Sequence, residues 1–234
     1  MWRNLWMLCL KQEGGIVVNN EMDASKFKHS DSVYFKEFEN ILSKIAFCYN
    51  LLRADNITVP LNDENVIRDI LVKNYINNPE IKRSIELEYF ILPEVYENNS
   101  SGRTDMRIFG PNTIYNQDEY YIIECKRLDN KNCQGTSGLN AKYIKNGIHR
   151  FTSEFYSSFY KTNAMIGFIV EAMDIHANIE NINFLLENNF SDINTTSYIE
   201  PENFIKDFEY QYRSNHQTQD GKSIKLYHLM FDFS

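Results

Sequence analysis

The chain reads as an α/β fold in which a helix, three strands, a second helix and a fourth strand follow one another between residues 62 and 171. Two periodicities carry this reading. Apolar residues recur at helical spacing after Asn62 and again from Leu139, whereas apolar runs of strand length occupy residues 84–92, 104–109, 119–128 and 164–171. A third observation sets the domain count: over 234 residues there is no Gly/Ser/Pro linker and no internal repeat. That predicts a single domain, 1–234, with its core at about 62–171, an N-terminal helical extension at 1–61 and a C-terminal elaboration at 172–234.

Taken in order, Asp31 or Ser32 can cap a helix whose stripe is Phe35, Phe38, Leu42, Ile45, Tyr49 and Leu52. The core opens with Asn62 or Asp63 as N-cap and Val66, Ile67, Ile70, Leu71 and Tyr75 as the buried face. Residues 84–92, SIELEYFIL, read as the first strand, and residues 104–109 and 119–128 as the next two, joined by a turn containing Gly110 and Pro111. Leu139, Tyr143, Gly147, Phe151, Phe155 and Phe159 recur every four residues, with Ile144 and Ile148 alongside, predicting a helix over 139–159 that presents an aromatic face to the sheet. AMIGFIVE at 164–171 is a buried strand, and Ile179, Ile182, Leu185 and Leu186 mark another helix. Residues 207–213 and 223–233 flank a polar loop with Asp220-Gly221, so they predict a β-hairpin that extends the sheet or pairs with a second subunit.

The chemistry gathers on the second and third strands. Strand alternation sends Glu124 and Lys126 to one face and Ile123 and Cys125 to the other. Because residues 120–123 are continuously apolar, an acid and a lysine at the end of that strand are half-buried, which is costly unless they are paired or bind a metal. Acid-x-Lys occurs four times, at Glu80, Glu124, Asp129 and Asp220, but the other three lie in polar connections or turns. Only Glu124-x-Lys126 ends an apolar strand and follows another strand carrying an acid, Asp105.

With that trio and that element order, the chain resembles the PD-(D/E)XK nuclease superfamily, whose restriction-endonuclease-like core is αβββαβ. The resemblance covers residues 62–171, about half the chain, and departs from the family at Thr104, where the eponymous proline stands before the acid. It implies that Asp105, Glu124 and the backbone carbonyl of Cys125 hold Mg²⁺, for which Mn²⁺ can substitute. It implies that Lys126 positions or activates the attacking water, and that Glu64 on the first helix adds a further carboxylate. Lys142 and Arg150, off the main stripe of the following helix, become candidates for phosphate contact, with DNA as the substrate and bacterial defence or mobile-element biology as the setting. A catalytically silent member serving nucleic-acid or protein interaction, and an RNase of the same fold, are the alternatives.

The residues also allow blander roles. Asp105 and Arg107 could form a cross-strand charge pattern with Glu124 and Lys126, worth under about 1 kcal/mol. Glu64 could simply favour a helix N-terminus, and the aromatic row from Tyr143 to Phe159 is core rather than a base-stacking platform. A net charge of −8 and a pI near 5.2 argue against tight binding to DNA through a broad basic surface, and leave room for a homo-oligomer or a partner protein. Cys9, Cys48, Cys125 and Cys133 have neither CxxC spacing nor a nearby histidine pair, so a zinc site and a disulfide framework are unsupported and a reducing cytoplasm is the simplest home. His29, His149, His176, His216 and His228 show no shared cluster, which disfavours a histidine-based nuclease. The opening MWRNLWMLCL is too short an apolar patch for a signal or membrane helix, so no membrane association is expected.

Overall fold

A computed structural model describes residues 30–96, 103–114, 116–153, 155–156 and 159–234. The apolar opening segment, Cys9 and His29 lie outside the described residues. The fold is mixed α/β around one seven-stranded sheet of order β1-β2-β3-β4-β7-β6-β5. Its strands are β1 (Phe90–Tyr96), β2 (Arg103–Phe109), β3 (Tyr120–Leu128), β4 (Thr162–Ile169), β5 (Thr195–Pro201), β6 (Gln211–Gln217) and β7 (Ser223–Asp232). Pairing is mostly antiparallel; only β3 with β4 and β4 with β7 run parallel.

Each face of the sheet carries its own core. On one side α1 (Ser30–Ala54) and α2 (Glu64–Ile70) cover Met106, Ile108, Ile123, Cys125, Ile166 and Phe231. Phe38 stacks on Tyr121 at 4.5 Å and Tyr49 on Phe231 at 4.3 Å, so the helical stripe expected of α1 is what it buries. Asp31 and Ser32 fall inside α1, so neither is its N-cap. On the opposite side lie α4 (Leu139–Tyr143), α5 (His149–Thr152) and α6 (Ile175–Asn188), packed on Ile122, Leu128, Met165 and Met230. A wide π-turn, Ile144–Ile148, makes α4 and α5 one continuous rod. Gly147 lets that rod lie close to the strands: a Cβ there would stand 2.3 Å from Met165 Cε and 3.7 Å from Lys126 Cγ.

Several boundaries differ from the sequence expectation. The first strand is not 84–92 but Phe90–Tyr96, because Asn78 accepts hydrogen bonds from the Glu80 and Ile81 N–H groups and starts α3 (Pro79–Ser84) with proline at its first turn. The helix expected to reach Phe159 stops at Thr152; Phe155 is half-buried and Phe159 is 47% exposed. The hairpin exists and extends the sheet through β7 on β4, but its first strand begins at Gln211 rather than Asp207. Strand β5, on the outer edge, is an element that the sequence periodicities do not predict. Nor do the histidines stay apart: His216 and His228 share the Ser214 hydroxyl at 2.7 Å each, fully buried. Their ring nitrogens meet the hydroxyls of Ser214, Thr195 and Tyr143. Among the described residues no helix is long and apolar enough to cross a membrane.

Candidate active site

The site begins where two strands part. Cross-strand pairing of β2 with β3 runs from Phe109↔Tyr120 to Met106↔Ile123 and ends there, although β2 continues to Arg103 against β1 and β3 continues to Leu128 against β4. Asp105 fills the opening: its Oδ2 accepts a hydrogen bond from the Cys125 N–H at 2.7 Å, a side chain doing the work of the missing ladder bond. Alternation then sets Asp105, Glu124 and Lys126 on the same face, as expected, on neighbouring strands.

Helix α2 completes the cluster. Asp63 caps it by accepting from the Asn65 N–H, which fixes Glu64 at its first position. Glu64 Oε2 accepts from the Arg127 N–H at 2.9 Å, leaving Oε1 on the Lys126 ammonium at 3.0 Å. Lys126 Nζ also donates to Glu124 Oε1 at 2.7 Å and to the Cys125 carbonyl at 2.6 Å, and stands 3.4 Å from Asp105 Oδ2 as an ion pair. So Glu64, Asp105, Glu124 and the Cys125 carbonyl all converge on a single cationic atom.

Two further cations close the circle. One turn after Glu64, Arg68 is nearly fully buried and donates to Asp69, Asn65, Glu94 and, at 3.3 Å, to Asp105 Oδ1. Arg150, at the end of the α4–α5 rod, donates to Glu124 Oε1 at 2.6 Å and to the Tyr156 hydroxyl at 2.8 Å. Tyr156 in turn donates to Glu124 Oε2 at 2.6 Å. Burial, with Asp105 adding to it and Lys126 and Arg150 pulling against it, leaves the Glu124 carboxyl pushed up to about 7. Burial works against the Lys126 ammonium, but Glu124, Asp105 and Glu64 overcome it and hold its pKa above the ordinary lysine range.

Beside the cluster opens a cleft of about 360 Å³ lined by Glu64, Lys126, Arg127, Lys142, Asn146 and Arg150 among others. Every expected site residue is therefore at or beside it, but Arg150 sits on Glu124 rather than waiting in solvent. The Arg107 guanidinium donates to the Tyr96 carbonyl and lies 4.2 Å over the Tyr120 ring. Arg68 and Tyr156 went unread. The only sequence signal for Arg68 is its place four residues after Glu64, and Tyr156 is hidden among aromatics taken as core.

Among the described residues, no three His, Cys, Asp or Glu side chains form a ready cage for a metal ion. The carboxylates gather on the ammonium instead of on one another. Comparison of the chain with family models, with curated proteins and with solved structures found no match.

Proposed function

We propose that this chain is a Mg²⁺-dependent endonuclease of the PD-(D/E)XK kind that hydrolyses phosphodiester bonds in DNA. Its restriction-endonuclease-like core would be α2, β1, β2, β3, the α4–α5 rod and β4, the remaining strands and helices being additions. The observation that carries the reading is the convergence of Glu64 Oε1, Asp105 Oδ2, Glu124 Oε1 and the Cys125 carbonyl oxygen within 3.4 Å of the Lys126 ammonium. The acceptors gathered there are the hard oxygens that suit Mg²⁺, which needs few protein ligands because it keeps several waters.

When bound, Mg²⁺ supplies Lewis-acid stabilisation of the phosphate and a more acidic water. The protein's own groups do the rest. The Cys125 N–H and Arg68 fix Asp105, the Arg127 N–H fixes Glu64, and Tyr156 fixes Glu124, so the acceptors are oriented before a metal arrives. Lys126 brings positive charge to the attacking water and phosphate, while Lys142 and Arg150 bring it to the cleft. A place in bacterial defence or mobile-element biology is an analogy at the level of fold alone.

A silent nuclease-fold module for nucleic-acid or protein interaction is the second reading. What favours it is that Arg68, Lys126 and Arg150 already neutralise the acids. Incubating the protein with plasmid, single-stranded DNA and RNA in Mg²⁺, Mn²⁺ or EDTA separates the two. DNA cleavage that requires metal and disappears in folded Asp105→Ala and Glu124→Ala proteins is the expected result. Cleavage of RNA alone would make it an RNase, and no cleavage of any substrate would leave the silent module.

A further inference from the structure

Both oxygens of Glu124 are occupied, and the side chain is sealed from solvent. Tyr156 holds Oε2, and Lys126 and Arg150 share Oε1 at 2.7 and 2.6 Å. Counting formal charges over all the ion pairs that share these cations, Glu64, Asp69, Glu94, Asp105 and Glu124 face Arg68, Lys73, Arg103, Lys126 and Arg150, so the network is balanced. A divalent ion added to this buried group leaves it overcharged unless a cation departs or an anion comes. Arg68, 2% exposed and bound to Asp69, Asn65, Glu94 and Asp105, is the hardest to move. Lys126 is 10% exposed and sits against three carboxylates. Arg150 is 33% exposed, has one carboxylate partner and lines the cleft.

We infer that Arg150 is an exchangeable counter-ion, paired with Glu124 in the free protein and transferred to a backbone phosphate of the nucleic acid, so that metal and substrate bind cooperatively. The inference rests on the proposed nuclease reading. A guanidinium is suited to the exchange, because its planar fork matches phosphate as well as carboxylate. The surroundings support the same anion: Lys142, Asn146 and Arg150 follow at intervals of four along the rod and line the cleft together. Lys145, on the same rod, is committed elsewhere, donating to the Thr136 carbonyl and lying 5.1 Å over the Phe190 ring. An incoming phosphodiester thus does two things at once. It draws Arg150 away from Glu124, and it supplies the negative charge that a bound divalent ion lacks.

The experiment is calorimetric titration of Mg²⁺ into the full chain, alone and with a saturating phosphorothioate DNA oligonucleotide, for wild type, Arg150→Gln and Lys142→Gln. The oligonucleotide should tighten Mg²⁺ binding to wild type by about tenfold. Arg150→Gln should bind Mg²⁺ several-fold more tightly than wild type with no DNA present, and lose most of the further gain. Lys142→Gln should bind the oligonucleotide more weakly with the free protein's Mg²⁺ affinity unchanged. Arg150→Lys, which keeps the charge without the fork, should fall between wild type and Arg150→Gln, and melting curves report that each variant is folded. Unchanged Mg²⁺ affinity in free Arg150→Gln overturns the exchange, and leaves the nuclease reading in place if wild type still cuts DNA. A wild-type protein that neither binds Mg²⁺ with or without DNA nor cuts overturns both.

Discussion

An ammonium buried among three carboxylates serves the fold and the proposed chemistry in opposite ways, and Lys126→Met separates them. Without the ammonium, Glu64, Asp105 and Glu124 face one another with less compensation. In EDTA the variant should melt below wild type. Mg²⁺ should then restore the melting temperature by more than it raises that of wild type, while cleavage stays abolished because the lysine acts on water and phosphate. A variant that Mg²⁺ does not rescue would mean the cluster is an ion-pair network only. Tyr156→Phe tests orientation: it removes one hydroxyl from Glu124 Oε2 and should lower activity or metal affinity by about 10–100-fold with little change in fold. Wild-type cleavage would remove Tyr156 from the site. At this scale the sequence exposed Asp105, Glu124 and Lys126 because strand alternation alone decides their face. Arg68 and Tyr156 stayed hidden because their roles depend on where α2 and the segment after α5 come to rest.

Elements with one dominant period were legible, and those set by local caps were not. Strands β3 and β4 bury nearly every residue, and their segments 120–123 and 164–169 read as continuous apolar runs. The apolar run at 84–92 points to a strand, but the Asn78-Pro79 start signal places a helix just before it, and the edge strand that follows accepts Pro93. The aromatic rhythm past Thr152 continues in the sequence, but Tyr156 donates to Glu124 and accepts from Arg150, outside any helix. The buried chain Thr195–His216–Ser214–His228–Tyr143 links β5, β6, β7 and α4, and its direction follows from its ends. Tyr143 is sealed from solvent whereas Thr195 is half-buried, so the satisfied arrangement has Tyr143 donating to His228 Nδ1, His228 Nε2–H to Ser214, Ser214 to His216 Nε2, and His216 Nδ1–H to Thr195. Burial lowers the His216 pKa to about 3 and that of His228 well below the ordinary value, with the neighbouring His216 adding to the second shift. Both folded values lie below the unfolded one near 6.5, so their contribution is complete above about pH 6.5 and is lost as pH falls toward the folded pKa. Denaturant unfolding between pH 7 and 5 should show wild type losing stability faster than His216→Gln, by up to about 1.4 kcal/mol per pH unit for that histidine. Parallel slopes would mean that His216 titrates in the fold as it does in the unfolded chain, so that burial does not lower its pKa.

At the scale of the whole molecule, a net charge of −8 restricts how nucleic acid could be held. The two sheet edges are poorly suited to strand addition: β1 carries Pro93 and a left-handed Glu94, and β5 pairs with β6 through shifted register. Exposed Phe90, Leu92 and Tyr96 along β1 add apolar surface but no positive charge. On the proposed nuclease reading, binding comes from the cleft, where Arg127, Lys142 and Arg150 are the basic side chains besides the site lysine. Arg127 also donates to the Leu61 carbonyl, so at most three phosphates are neutralised by these side chains. Each neutralised phosphate of duplex DNA contributes roughly −0.9 to the slope of log K against log salt, so the expected slope is about −2.7 or shallower. Removing Lys142 should flatten it by about one further unit, whereas Lys145→Gln should leave it unchanged because that ammonium faces Thr136 and Phe190. Fluorescence anisotropy of a labelled duplex across a salt series, with Ca²⁺ in place of Mg²⁺, measures this directly. A slope of −6 or steeper would require a broad basic track that these residues do not supply, and would move the binding surface away from the cleft.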